Sequence, residues 1–159
     1  MLIKTFFFID VLWGGTGLKT TYTALSADHT EKIAADFSRT LKGQETVALF
    51  GGLGMGKTAF VRGLAKGMGL SDAVSSPTFA LVHEYNQGPT PLFHFDMYRI
   101  IGYDDLYSTG FFDYQNHGII VCEWSENILN ALPEDCIRIT LALGDTEEQR
   151  MITIEREEN

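Results

Sequence analysis

The apolar residues of this chain form two kinds of pattern: short continuous or alternating runs, and stripes with helical spacing. The runs predict strands at residues 20–25, 46–50, 79–85, 92–98, 118–124, 136–143 and 151–156. Strand 20–25 is expected at a sheet edge, and the last two strands should form a hairpin around Gly144 and Asp145. Residues 119–122 are all apolar, so strand 118–124 should be central and buried on both faces.

Two apolar stripes predict amphipathic helices. In the first, Asp28 and Glu31 resemble a capping box, and the face is formed by Ile33, Ala34, Phe37 and Leu41. The second begins at Lys57 and should end at Gly69, with a face formed by Phe60, Val61, Leu64, Ala65 and Met68. Residues 75–78 are expected to form a loop, because Pro77 disfavours helical geometry at the preceding residue.

The segment between strand 46–50 and the second helix fits the phosphate-loop pattern Gly-x-x-x-x-Gly-Lys-Thr. It consists of Gly51, Gly52, Leu53, Gly54, Met55, Gly56, Lys57 and Thr58. Glycines let successive N–H groups face one concavity, and the helix dipole directs its positive end at a bound anion. Lys57 can reach the β- and γ-phosphates, and Thr58 can ligate Mg²⁺. A simple turn between strand and helix is the alternative, but it does not explain the lysine and threonine.

Hydrolysis also needs a carboxylate for the metal shell and a group that orients the attacking water. Glu123 and Asp96 each follow an apolar run, where strand ends meet a ligand crevice. Both acids are candidates for the metal shell, and Glu123 ranks first. Asp96 is the better candidate for orienting water or a metal-bound water. Either acid could instead cap a loop or pair with Arg99.

Three further residues have two readings each. Thr78 could sense the γ-phosphate, or it could be an ordinary turn hydroxyl. Trp124 could stack near the nucleotide or a partner, or it could pack in the core. Arg99 could neutralise charge on the phosphates, or it could pair with Asp104 or Asp105.

Composition excludes some classes of function. Hydrophobic residues make up 45% of the chain, which predicts a folded domain. The net charge of −9 predicts weak binding to nucleic acid by the protein alone. Cys122 and Cys136 do not have the spacing of a metal or redox motif. Cys122 is expected in the core. A reducing cytoplasm is the expected location. The histidines also lack ligand spacing, and His83 and His94 are expected on paired strands.

The length suits a single domain, which is expected at residues 21–159. Residues 1–20 are partly apolar but too short for a membrane span, so an N-terminal arm or an upstream start codon is expected there. The chain has no Asn-Lys-x-Asp motif, so guanine specificity is not supported. A small-molecule kinase remains an alternative, although Arg99 is the only arginine between Asp96 and Glu123. A nucleotide-binding module without hydrolysis is another.

Several segments resemble one family in their order and spacing over roughly residues 22–156. They are Gly51 to Thr58 with Arg62-Gly63; Ser76-Pro77-Thr78-Phe79 with Leu81-Val82 and Glu84-Tyr85; His94-Phe95-Asp96 with Tyr98-Arg99; Asp105-Leu106, Gly110 and Asp113-Tyr114; and Glu123-Trp124 with Glu126 and Leu132-Pro133. The chain is similar to the TsaE family, small bacterial ATPases of tRNA threonylcarbamoyladenosine synthesis.

The resemblance implies a three-layer P-loop α/β fold, with a mostly parallel central sheet and some antiparallel strands. It implies ATP and Mg²⁺ as cofactors, with Thr58 and Glu123 on the metal and Asp96 needed for hydrolysis. Thr78 would lie in a switch-like loop. Trp124 and Glu126 would lie near the nucleotide, and residues 26–30 would contact the base.

The same resemblance implies the TsaB–TsaD heterodimer as partner, which the ATPase would reset between turnovers. Strong direct binding to nucleic acid and membrane attachment are not expected. Three positions depart from the family pattern: Gly52 stands where Asp is usual, Met55 where Ala is usual, and Asp105 where Glu is usual. These departures bear on rate and affinity more than on family membership.

Overall fold

The computed structural model describes residues 17–70 and 73–157, and the elements below are those of these ranges. The strands are β1 (Gly17–Ala24), β2 (Thr46–Phe50), β3 (Val82–Tyr85), β4 (Leu92–Asp96), β5 (Ile119–Glu123), β6 (Ile137–Leu143) and β7 (Arg150–Glu157). The helices are α1 (Ala27–Ser38), α2 (Lys57–Gly67), α3 (Tyr103–Ser108) and α4 (Phe111–Tyr114), with a 3₁₀ segment at Ser125–Ala131.

The strands form one sheet in the order β1-β7-β6-β2-β5-β4-β3. The four central strands β6, β2, β5 and β4 run parallel, whereas β7, β1 and β3 pair antiparallel with their neighbours. The expected edge position of β1, the β6–β7 hairpin and the pairing of His83 with His94 are confirmed. The carboxyl ends of the four parallel strands therefore meet at one edge of the sheet.

Strand β5 shows why the fold has three layers. All five of its residues are buried, as its apolar run predicts. Ile119 and Val121 join one apolar cluster with α1 and α2, whereas Ile120 and Cys122 join a second cluster with α3 and α4. Because side chains alternate along a strand, the sheet lies between two helical layers.

Helices α1 and α2 approach each other very closely. A Cβ atom added to Gly63 would lie 2.1 Å from the Glu31 carbonyl oxygen, and one added to Gly67 would lie 2.2 Å from Ser38 Oγ. Only glycine fits this crossing, so the backbones of the two helices are in direct contact.

The start of α1 differs from the expected capping box. Ser26, not Asp28, caps the helix: its Oγ accepts a hydrogen bond from the His29 amide at 3.1 Å. Asp28 lies in the first turn, and Glu31 forms an ion pair with Arg62 instead. The shift of two residues arises because serine caps helices as well as aspartate does.

Several strand boundaries also differ from expectation, most of all the starts of β1 and β3 and the end of β4, which lies at Asp96 rather than at residue 98. β1 begins at Gly17 rather than at residue 20, so residues 17–20 belong to the sheet, and Gly17 pairs with Glu157. β3 begins at Val82 rather than at residue 79, because Leu81 has a left-handed φ of 66° and Phe79 is 87% exposed. The expectations for residues 1–16 lie outside the described residues.

Helix α2 ends at Gly67 with Met68 as its C-cap, two residues before the expected end at Gly69. Gly69 follows the cap with a left-handed φ of 76°, and the Leu70 amide donates back to the Ala65 carbonyl at 3.0 Å. Within residues 17–70 and 73–157, no helix combines the length and hydrophobicity that crossing a membrane requires.

Candidate nucleotide and metal site

The glycine-rich loop connects β2 to α2 at the carboxyl edge of the parallel strands. Gly51 has a φ of 139°, and a Cβ there would lie 2.4 Å from the Leu141 carbonyl oxygen. Gly56 precedes α2 with a φ of 97°, and no side chain caps the helix. The amides of the first turn of α2 therefore have no side-chain partner at the position where an anion would bind.

Lys57 is 5% exposed and lies at the mouth of this loop. Its Nζ donates hydrogen bonds to the carbonyls of Gly51 and Gly52, and it lies 3.9 Å from the centroid of the Trp124 ring. Burial lowers the pKa of Lys57, while Glu123 and other nearby carboxylates act in the opposite direction. The ammonium group thus lies in a partly desolvated position. Its attraction for phosphate is stronger there, because the local dielectric constant is lower than in water.

Thr58 and Glu123, predicted as the metal pair, are in direct contact. Thr58 Oγ1 lies 2.9 Å from Glu123 Oε1 and 3.1 Å from Oε2. Glu123 Oε1 also lies 2.8 Å from His94 Nε2. Glu123 is 3% exposed and His94 is fully buried, so these groups form a hydrogen-bonded chain that runs from the loop into the sheet.

Asp96 ends β4 directly beside Glu123 in the sheet register. Its Oδ2 accepts hydrogen bonds from Ser76 and Thr78, both at 3.0 Å, and its Oδ1 accepts one from the Tyr98 amide at 2.9 Å. The two hydroxyls also lie 2.8 Å from each other. The structure therefore brings Thr78 to Asp96 and does not pair Asp96 with Arg99.

A cleft of about 540 Å³ opens between these groups. It is lined by Leu53, Gly54, Met55, Gly56, Lys57, Thr58, Ala59, Arg62, Ser76, Thr78, Asp96, Tyr98, Glu123 and Trp124. The phosphate loop and both predicted acids thus face one volume, and that volume is large enough for a nucleotide.

A family model described as "Threonylcarbamoyl adenosine biosynthesis protein TsaE" matches residues 24–152. The chain belongs to the TsaE family. The protein named "tRNA threonylcarbamoyladenosine biosynthesis protein TsaE" from Bacillus subtilis (strain 168) is 34% identical over 134 residues, which are 83% of this chain and 84% of the relative. The protein of the same name from Treponema pallidum (strain Nichols) is 37% identical over 117 residues, which are 73% of this chain and 86% of the relative.

A solved structure supports the same relationship. The crystal structure of YdiB from Bacillus subtilis aligns with a TM-score of 0.71 and 31% identity, and it covers 89% of this chain and 87% of that one. The expected P-loop α/β fold is therefore confirmed, together with its mixed sheet.

The remaining site residues of this TsaE-family chain are also located. Glu126 Oε1 lies 3.4 Å from the Gly51 amide, so it contacts the start of the loop. Trp124 has a left-handed φ of 58°, which turns its ring over Lys57 and against Tyr98 at a centroid distance of 4.8 Å. Ser26 in the segment 26–30 caps α1, and contact of that segment with a base stays a prediction.

Arg99 and Cys122 do not line the cleft. The Arg99 guanidinium lies 4.9 Å from the Phe79 ring, and Asp105 caps α3 by accepting from the amides of Ile101 and Gly102. Of the two alternatives for Arg99, the ion pair with Asp104 or Asp105 is therefore not formed, and the charge-neutralising role stays a prediction. Cys122 is fully buried in the core as expected, and burial raises the pKa of its thiol, which suppresses thiolate chemistry.

The donor set at the loop suits magnesium held together with a nucleotide. No cluster of three or more His, Cys, Asp or Glu side chains in the described parts of the chain could hold a metal ion. Thr58 and Glu123 offer two hard oxygen groups side by side. This fits Mg²⁺, which takes one or two protein ligands and completes its shell with phosphates and water.

Four residues at the cleft received no role from the sequence. Ser76 and Tyr98 contact Asp96, and Arg62 Nε forms an ion pair with Glu31 Oε1 at 2.9 Å. Arg150, at the start of β7, donates a hydrogen bond to the Gly54 carbonyl at 3.0 Å. Ser76 precedes Pro77 in a motif that the resemblance had marked. The contact of Arg150 joins positions 96 residues apart, and no local pattern predicts it.

Proposed function

We propose that this protein is a magnesium-dependent ATPase that supports tRNA threonylcarbamoyladenosine formation by acting on the TsaB–TsaD heterodimer. Membership of the TsaE family supports the pathway. The observation that carries the ATPase proposal is the convergence of the phosphate loop, the Thr58–Glu123 pair and the Asp96 cluster on one cleft.

In this proposal, the loop amides and Lys57 bind the triphosphate of ATP. Thr58 and Glu123 hold Mg²⁺, which when bound neutralises charge on the β- and γ-phosphates. Lys57 now donates to the carbonyls of Gly51 and Gly52. In the proposed complex, a phosphate oxygen would replace one of these carbonyls as acceptor.

Asp96 is proposed to orient the water that attacks the γ-phosphate in line with the leaving oxygen. Its carboxylate already accepts two hydroxyl hydrogen bonds, from Ser76 and Thr78. These bonds fix the direction in which its remaining lone pairs point. Thr78 lies in the same loop as Ser76. A γ-phosphate that accepts a hydrogen bond from the Thr78 hydroxyl would therefore also change the hydrogen bond between this hydroxyl and Asp96.

Hydrolysis by the protein alone is expected to be slow, because the arginines around the cleft already have partners. Arg62 is paired with Glu31, Arg99 lies over Phe79, and Arg150 donates to backbone carbonyls. A partner protein that frees one of these groups, or supplies its own cation, would raise the rate. The net charge of −9 favours binding to partner proteins over direct binding to tRNA. We also propose a cytoplasmic location.

The test measures phosphate release from Mg-ATP by the full chain, with and without the purified TsaB–TsaD heterodimer. Strong activation by the heterodimer is expected, and both Lys57→Ala and Asp96→Asn should abolish it. Lys57→Ala should also lose nucleotide binding, whereas Asp96→Asn should keep it. Asp135→Asn makes the same chemical change at an exposed residue before β6, far from the cleft, and should behave as wild type.

Each alternative has its own outcome. Phosphate that appears on an added small-molecule acceptor would indicate a kinase. Full tRNA modification by the assembled complex with Asp96→Asn, without phosphate release, would indicate a nucleotide-locked binding module. Equal hydrolysis with and without the heterodimer would contradict the proposed dependence on a partner.

A further inference from the structure

His94 is a polar residue beside the cleft acid Glu123, and it has no exposed surface. Its Nε2 lies 2.8 Å from Glu123 Oε1, and its Nδ1 has no hydrogen-bond partner among the described residues. Burying an unpaired nitrogen costs free energy that an apolar side chain at the same position would not. Packing alone therefore does not explain a histidine here, whereas the contact with Glu123 does.

The sheet register fixes this contact. Asp96 pairs with Glu123 across β4 and β5, and His94 pairs with Val121. His94 is thus the diagonal neighbour of Glu123 on the sheet face that carries Asp96. Because both strands are central and fully buried, the ring has little freedom to leave the carboxylate.

Glu123 depends on few donors. Within the described residues, its carboxylate accepts hydrogen bonds from Thr58 and His94. Thr58 must also present a lone pair to the metal in the proposed function, so its hydroxyl serves two groups at once. His94 has no such second task. It is therefore the donor that can hold Glu123 in place both before and after ligand binding.

We propose that His94 is a positioning residue that orients the Glu123 carboxylate toward Thr58 and the bound magnesium. Nε2–H donates to Oε1, and this holds the carboxylate with both oxygens within 3.1 Å of Thr58 Oγ1. Groups behind metal ligands commonly set metal affinity in this way, by about 10- to 100-fold. This role rests on the proposed function, because it concerns Mg²⁺ bound together with ATP.

The test titrates Mg²⁺ into the full chain with a fluorescent N-methylanthraniloyl ATP and records the Mg²⁺ concentration for half-maximal binding. His94→Leu should raise that concentration by about 10-fold or more. Nucleotide affinity in excess EDTA should stay within about 2-fold, since the loop amides and Lys57 are unchanged. His94→Gln, whose amide N–H can replace Nε2–H, should restore most of the Mg²⁺ affinity.

His83 provides the matched control. It pairs with His94 across β3 and β4, with ring centroids 6.5 Å apart, and it is only partly buried. His83→Leu should leave the Mg²⁺ requirement unchanged. An unchanged requirement in folded His94→Leu would overturn the proposal, and so would equal effects of Leu and Gln at position 94.

A failure of His94→Leu to fold would still leave a decisive comparison. His94→Asn has the same amide as His94→Gln, but its shorter side chain cannot reach Glu123. Asn should therefore raise the Mg²⁺ requirement and Gln should not, and equal behaviour of the two would overturn the proposal. Absence of Mg²⁺-dependent nucleotide binding in the wild-type chain would instead contradict the proposed function itself.

Discussion

Two carboxylates end adjacent strands at the cleft, and they are held in different ways. Glu123 receives its hydrogen bonds from α2 and β4, which are packed in the core. Asp96 receives two of its hydrogen bonds from Ser76 and Thr78, in the loop that precedes β3. Ser76 is exposed and Thr78 is partly exposed, whereas the donors to Glu123 are fixed by regular elements.

This difference indicates a division of tasks between the two sides. A metal ligand has to be in place before the nucleotide arrives, and a rigid element provides that. A group that orients water can depend on a loop, because loops rearrange at low cost and can respond to a ligand or a partner. We therefore expect Glu123 to set magnesium affinity and the Asp96 side to set the rate.

The largest expected effect separates the two carboxylates directly. Glu123→Gln and Asp96→Asn should each lower partner-stimulated hydrolysis by about 100-fold or more. Only Glu123→Gln should raise the Mg²⁺ concentration needed for half-maximal nucleotide binding, because only Glu123 contacts Thr58. Phosphate-release assays and nucleotide titrations at graded Mg²⁺ measure the two quantities.

Glu134→Gln and Asp135→Asn are matched controls, since both residues are exposed and precede β6 at the opposite edge of the sheet. An equal rise in the Mg²⁺ requirement for Glu123→Gln and Asp96→Asn would show that the carboxylates share one task. The division proposed above would then be wrong.

A smaller effect is expected in the loop that precedes β3. Thr78→Val keeps the shape of the side chain but removes the hydroxyl that donates to Asp96. A hydrogen bond to a charged group is worth about 1.5–3 kcal/mol, so the turnover number should fall by about 10-fold or more, with little change in nucleotide affinity. Thr78→Ser should retain most of the rate. A large loss of affinity in Thr78→Val would place this threonine on the binding side of the cleft.

The smallest effect is expected at Arg150, which attaches the β6–β7 hairpin to the phosphate loop through the Gly54 carbonyl. Loss of one such hydrogen bond costs about 0.5–1.5 kcal/mol, so Arg150→Ala should weaken nucleotide binding by about 2- to 10-fold at an unchanged turnover number. Calorimetric titration with Mg-ATP measures the affinity. Arg39→Ala, at a highly exposed arginine paired with Asp36, should have no effect. A reduced turnover number at unchanged affinity would contradict this role.

Local patterns in the sequence predicted the parts of the site that lie on continuous segments. The loop Gly51 to Thr58, the buried strand before Glu123 and the strand that carries Asp96 all follow from short runs of residue types. The alternation on β4 also places residues 94 and 96 on one face. Such patterns extend over a few residues, and the elements they describe are stabilised locally.

Contacts between distant segments were not predictable in the same way. His94 had no metal-ligand spacing, and its partner Glu123 is 29 residues away on the next strand, so strand order had to be known first. Phe79 and Leu81 continued an apolar pattern that predicted strand, but Leu81 turns left-handed and leaves Phe79 exposed. Hydrophobicity alone does not distinguish a buried strand from an apolar surface loop.

The crossing of α1 and α2 links two requirements at Glu31. Its backbone carbonyl occupies the space that a larger residue at position 63 would need, and its side chain holds Arg62 at the cleft. Gly63 therefore sets the close crossing through the backbone of residue 31, and that crossing places the Glu31 side chain beside Arg62. Homologues that carry a bulkier residue at position 63 should be found with a wider helix crossing and a different partner for the arginine at position 62.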